Sequence, residues 1–120
     1  MFRKLLAIVP ILTVLNVNPA FADPRYDWSI EAAKVQLVEA SSMPNRITIV
    51  IKDAKNINGP FYCSDKALVW YGKGSTDSDK KENVKAALAT LLTAVSGNKT
   101  VRLYGYNNGC TVEFMHLFND

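Results

Sequence analysis

The sequence predicts a mainly β domain with one helix, in the order β-β-β-α-β-β. Several segments alternate apolar and polar residues, which is the period of a strand with one solvated face. One later segment has apolar residues at three- and four-residue spacing, which is the period of a helix. Clusters of turn-forming residues separate these segments, so each is expected to form one element.

The first two strands are predicted on either side of a turn. Residues 33–39 (AKVQLVE) alternate, and residues 46–53 (RITIVIKD) are the clearest strand because β-branched side chains suit a pleated surface. The cluster at 41–45 (SSMPN) predicts the turn, so the two strands should form a hairpin. A third strand is predicted at 61–71 (FYCSDKALVWY), after the connection KNINGP at 55–60.

The helix is expected over residues 80–96, after a polar loop. Asp79 and Glu82 have capping-box spacing, and Gly97 suits the left-handed position that ends a helix. The predicted buried stripe consists of Val84, Ala87, Leu88, Leu91, Leu92 and Val95.

The last two strands are predicted at 99–106 (KTVRLYGY) and 110–117 (CTVEFMHL). Alternation in the first of them places Val101 and Leu103 inward, and Arg102 and Tyr104 on the opposite face. Five strands with a helix between the third and fourth is the element order of an OB-fold, a small Greek-key barrel. Closure of a barrel would bury the apolar faces of such short strands. A sandwich of one sheet and one helix is the alternative.

Residues 1–22 have the pattern of a cleaved signal peptide. Arg3 and Lys4 precede an apolar segment, and the Ala-Phe-Ala sequence at 20–22 is the small-x-small pattern of a cleavage site. The apolar segment is shorter than the ~20 residues that span a bilayer. We therefore expect a secreted or periplasmic protein, a single domain at 23–120, and no membrane span after cleavage.

Charge gives no support to a nucleic-acid partner. Removing Arg3 and Lys4 from the 14 basic side chains leaves 12, against 11 acidic ones. The basicity of the full chain therefore belongs partly to the predicted signal peptide, and the predicted domain is nearly neutral.

The two cysteines, Cys63 and Cys110, are expected to form one disulfide, as an even number does in an exported domain. It would close a loop of about 48 residues and stabilise the fold by about 4 kcal/mol in the chain-entropy model. An intermolecular disulfide and a Cys/His metal site are the alternatives. Two cysteines with the single His116 are too few for a good zinc site.

No enzymatic chemistry is predicted. His116 is the only histidine, and the Asp77/Asp79 pair lies in a polar loop where solvation or helix capping explains it. The sequence shows no phosphate loop and no grouping of nucleophile, base and orienting residue. We therefore expect no catalytic residues, no metal and no cofactor.

Aromatic residues give the only binding signal. Tyrosine and tryptophan offer flat apolar faces with a polar group, which suits stacking on sugars or bases. Filling the core or covering the barrel ends is the alternative for each of them. The residues are Tyr26, Trp28, Trp70, Tyr71, Tyr104 and Tyr106.

The chain resembles small exported OB-fold proteins typified by the B subunits of subtilase-cytotoxin-like and pertussis-like bacterial toxins. The matching segments are YDWSIEAAKVQLVEA at 26–40, FYC at 61–63, KENVKAALATLLTAVSGNKTVRLYG at 81–105 and GC at 109–110. The resemblance covers most of residues 26–117.

This resemblance implies a non-enzymatic binding subunit that recognises host-cell glycans. It also implies a homo-pentamer and a separate catalytic subunit. Tyr26, Trp28 and Ser29 are the nearest match to the sugar-contacting positions of the family. The chain departs from the toxin subunits in having two cysteines instead of more. The alternative is a periplasmic or secreted single-domain protein with a structural or accessory role and no glycan site.

Overall fold

The structure, a computed structural model, describes residues 25–120 of the chain. The predicted signal peptide at 1–22 lies outside the described residues, so its cleavage stays a prediction. So does the predicted start of the domain at residue 23.

Within residues 25–120 the chain is mainly β with one long helix, and the order β-β-β-α-β-β is the predicted one. A short 3-10 turn, Asn108–Cys110, precedes the last strand. The bounds are β1 Trp28–Glu39, β2 Arg46–Asn58, β3 Leu68–Tyr71, α1 Asp77–Ser96, β4 Thr100–Tyr106 and β5 Thr111–Leu117.

Strand pairing runs in a ring. β1 is antiparallel to both β2 and β4, β2 is antiparallel to β3, and β4 is antiparallel to β5. β3 and β5 are parallel and meet at one paired position, Val69 with Thr111. The order β1-β2-β3-β5-β4 therefore returns to β1.

The strand bounds differ from the predicted ones at both ends of the hairpin. β1 begins five residues before the predicted start at Ala33, because Trp28 pairs with Gly105 of β4. β2 continues to Asn58 through residues Asp53 and Asn56, whose φ angles are 55° and 57°. Asp and Asn tolerate this left-handed conformation, so the strand continues through both residues.

The predicted third strand, 61–71, is mostly loop. Only Leu68–Tyr71 pairs with β2, and the chain from 59 to 67 leaves the sheet. This loop is tied to the turn before β5, where the Asn107 Oδ1 accepts from the Tyr62 amide at 2.9 Å and the Asn107 Nδ2 donates to the Pro60 carbonyl at 2.9 Å.

The helix begins three residues earlier than predicted. Its N-cap is Thr76, whose Oγ1 accepts from the Asp79 amide at 3.0 Å, so the predicted box of Asp79 and Glu82 is not the cap. Gly97 was the predicted left-handed residue, but its φ is −95°, and Asn98 has the positive φ of 50°.

The core lies between the strands and one face of α1. The helix buries Val84, Ala87, Leu91 and Ala94, whereas Leu92 and Val95 are 51% and 40% exposed. The predicted stripe was therefore too wide, because the two extra residues lie on the solvent side. The strands contribute the fully buried residues Trp28, Ile30, Ile47, Ile49, Val101, Leu103 and Val112.

Candidate ligand-binding surface

The outward face of β4 is aromatic and charged. Val101 and Leu103 are fully buried, while Arg102 and Tyr104 lie on the other side of the strand and are half-buried. The prediction of these two faces is confirmed. Tyr106, at the end of the strand, continues the outward row and is 38% exposed.

β5 adds two more rings to this face. The register pairs Tyr104 with Phe114 and Arg102 with His116. The ring centroids of Tyr104 and Phe114 are 5.8 Å apart, and those of Phe114 and His116 are 4.8 Å apart. The three rings therefore form one contact cluster, in which Phe114 is 44% exposed.

The segment before β1 completes the cluster. The ring of Tyr26 lies 5.6 Å from that of Tyr104 and 5.7 Å from that of Tyr106. Two hydrogen bonds hold the segment against β4: the Asp27 amide donates to the Gly105 carbonyl at 3.0 Å, and the Tyr106 hydroxyl donates to the Arg25 carbonyl at 2.9 Å. We call the five residues Tyr26, Tyr104, Tyr106, Phe114 and His116 the aromatic strip.

An ion pair borders the aromatic strip. The Arg102 guanidinium donates to the Glu31 carboxylate at 3.0 Å and lies 5.0 Å above the ring of Phe118. Both side chains of the pair keep partial solvent exposure, 31% for Arg102 and 46% for Glu31. The surface therefore combines flat apolar rings with a donor and an acceptor at its edge.

The three positions predicted for ligand contact lie in different environments. Tyr26 belongs to the aromatic strip. Ser29 faces outward opposite Tyr104 in the β1–β4 register, but it is only 7% exposed. Trp28 faces the core, is fully buried, and packs edge-on against Phe61 at 4.9 Å. Its indole therefore does not belong to this surface.

Phe114 was not among the predicted binding residues, which were all tyrosines and tryptophans apart from Ser29, and a β-bulge decides its outward orientation. Strict alternation would put Phe114 on the same face as Val112, which is fully buried. The register with β4 shifts between these positions, since Gly105 pairs with Val112 and Tyr104 with Phe114. The extra residue, Glu113, reverses the faces, so Phe114 points outward.

A covalent bridge fixes the end of the fold near Tyr106. Cys63 and Cys110 form a disulfide with an S–S distance of 2.09 Å and a Cα–Cα distance of 5.9 Å, as predicted. Both cysteines are buried. The Asn107 amide also donates to the Asp27 carboxylate at 2.9 Å, so the loop before β3, the turn before β5 and the segment before β1 are joined.

Two kinds of site are not found among residues 25–120. No group of three or more His, Cys, Asp or Glu side chains there is arranged to hold a metal ion. No helix in the same part of the chain combines the length and the apolar character of a membrane span.

Comparisons with protein-family models, with curated proteins and with solved structures found no match to this chain.

Proposed function

We propose that this chain is an exported, non-enzymatic carbohydrate-binding module that uses the aromatic strip. The observation that carries the proposal is the contiguous set of outward rings on β4, β5 and the segment before β1, bordered by the Arg102–Glu31 pair. Sugar rings have apolar faces that stack on aromatic side chains, and their hydroxyl groups pair with donors and acceptors. An exposed apolar patch with a polar edge is typical of a binding surface.

The ring of strands supports an OB-fold-like barrel, which we propose as the fold of this module. The pairing order returns to its start, and α1 lies between β3 and β4 in the chain. OB-folds bind oligosaccharides and oligonucleotides. The near-neutral domain favours the former, because single-stranded nucleic acids require a positively charged groove.

Export is part of the same proposal. The disulfide is typical of an oxidising compartment, and it agrees with the signal peptide predicted at 1–22. Host-cell glycans, a homo-pentamer and a separate catalytic subunit are proposed from the resemblance to toxin B subunits.

A glycan array probed with the purified exported protein tests the function. We expect retention of specific glycans, and Tyr104→Ala should weaken the binding by about 5- to 150-fold, the range that loss of one stacking contact of 1–3 kcal/mol produces. Ser29→Ala tests the predicted contact position on β1 that pairs with Tyr104 and is 7% exposed.

Tyr71→Ala is the matched control. Tyr71 is an exposed tyrosine, 44% accessible, on β3 and outside the aromatic strip. Its substitution should leave glycan binding unchanged. Absence of any retained glycan, or equal binding by Tyr104→Ala and the parent protein, would favour the accessory role without a glycan site. Light scattering tests the pentamer separately.

A further inference from the structure

A small cavity adjoins the aromatic strip where α1 faces β5. Its volume is about 210 Å³. Phe114 contributes to the cavity wall and also belongs to the aromatic strip, so the two features are continuous at one ring. The other lining residues used in the argument are Asn83, Ala86, Ala87, Thr90 and Met115.

Asn83 offers a hydrogen-bond donor at this cavity. Its Oδ1 accepts from the Trp70 Nε1 at 2.9 Å and from the Lys73 amide at 3.0 Å, and these two donors fix the orientation of the carboxamide. Within residues 25–120 no acceptor is found for the Asn83 Nδ2. The amide nitrogen is therefore the free donor of this side chain.

Thr90 offers an acceptor on the same helix face. Its hydroxyl proton goes to the Ala86 carbonyl at 3.0 Å, so the lone pairs of Oγ1 remain to accept a hydrogen bond. The remaining walls are apolar and come from Trp70, Ala86, Ala87, Phe114 and Met115. The cavity thus presents one donor, one acceptor and an apolar surface.

We propose that this cavity receives the acetamido group of a 2-acetamido sugar whose ring lies on Phe114. An acetamido group has one carbonyl acceptor, one N–H donor and one methyl group, which complement Asn83, Thr90 and the apolar walls. A plain hydroxyl at the same sugar position has no methyl group to bury. The inference rests on the proposed function and names the ligand class of that site.

Two trisaccharides that differ only at this position provide the test. Binding of tri-N-acetylchitotriose and of cellotriose is measured by isothermal titration calorimetry. We expect the acetamido sugar to bind at least tenfold more tightly, because it buries a methyl group and offers a separate carbonyl and N–H to the two polar side chains, where cellotriose has a single hydroxyl.

Ala86→Leu supplies the matching variant. Leucine is a good helix former and would fill the cavity from the exposed side of α1, so the ratio of the affinities for the two trisaccharides should fall to near unity. Ala89→Leu, at an exposed helix position outside the cavity, should keep the preference.

The outcomes separate the two proposals. Equal affinity for both trisaccharides, or a preference that survives Ala86→Leu, overturns the acetamido inference and leaves carbohydrate binding standing. Binding of neither trisaccharide also overturns it, and the glycan array then decides the proposed function independently.

Discussion

Gly105 lies at a position where the fold leaves no room for a Cβ atom. A Cβ at this position would overlap the Thr111 carbonyl oxygen and would lie 2.5 Å from the Trp28 Cζ2. Trp28 itself is fully buried, so it has no room to move away. The close approach of β1, β4 and β5 at this point therefore depends on glycine.

Gly105→Ala should lower the free energy of unfolding by about 3 kcal/mol through overpacking. Chemical denaturation monitored by tryptophan fluorescence measures the change. Gly97→Ala is the control, because Gly97 is exposed, has a negative φ, and would place its Cβ 3.1 Å from the nearest atom, the Thr93 carbonyl oxygen. The free energy of unfolding of Gly97→Ala should stay within about 1 kcal/mol of that of the parent protein. Equal losses for both variants would contradict this account of Gly105.

Asp120 ties the end of the described chain to β4. Its carboxylate accepts from the Thr100 hydroxyl at 2.5 Å and from the Thr100 amide at 3.1 Å, and Lys34 Nζ lies 3.8 Å away. The hydrogen bond from the Thr100 side chain is the largest cause that lowers the pKa of Asp120 below its ordinary value of 3.8. Hydrogen bonds to the charged form favour it over the neutral form.

Asp120→Asn should therefore reduce stability at neutral pH by a small amount. A lowered pKa in the folded state stabilises the fold above pH 3.8, and this contribution is lost as the pH falls through the folded value, which lies below 3.8. The melting temperatures of Asp120→Asn and of the parent protein, measured from neutral pH downward, should become equal in acid. Asp65→Asn, at an exposed position without a hydrogen bond in residues 25–120, should follow the parent. A difference in melting temperature between Asp120→Asn and the parent protein that does not change with pH would contradict the stabilising role of the Asp120 carboxylate.

The helix shows what an element-level pattern can and cannot decide. Three- and four-residue spacing predicted α1 and most of its buried residues, because a helix in a small domain must cover the core with one face. The pattern could not decide how wide that face is. It also could not select the cap, since residues 75–79 (STDSD) offer five candidate side chains and only the folded loop brings Thr76 to the Asp79 amide.

Adjacent leucines on α1 test its orientation. Leu91 is fully buried and Leu92 is 51% exposed. Leu91→Ala should cost about 3 kcal/mol of unfolding free energy, from lost burial and the cavity left behind. Leu92→Ala should cost less than about 0.5 kcal/mol, as other surface substitutions do. Urea denaturation of the two variants side by side measures the difference, and similar costs would mean that the helix faces the core differently.

At the scale of the whole molecule, alternation predicted the two faces of β4 but not which strands lie beside it. The fold brings together residues far apart in the chain, such as the rings of Tyr26 and Tyr104, and no local pattern encodes that contact. The register shift at Glu113 then turns Phe114 outward beside Tyr104, which alternation along β5 does not predict. The candidate surface was therefore predictable in residue type and only partly in membership.

The disulfide should contribute about 4 kcal/mol to the unfolding free energy, because it closes a loop between positions 47 residues apart. Urea denaturation with and without reductant should show this loss in the parent protein. The Cys63→Ser/Cys110→Ser variant should have the unfolding free energy that the parent protein shows with reductant, and adding reductant should not change it. Non-reducing mass spectrometry that finds two free thiols would contradict the bridge.

The same bridge has a consequence for cleaved chains. The covalent loop that it closes contains β3, α1 and β4, together with the connection at 72–76. A protease that cuts this connection therefore leaves two polypeptides that are still one molecule. They should migrate as one band on a non-reducing gel and separate only when the sulfurs are reduced. In the folded protein, β1 on one piece stays paired with β4 on the other.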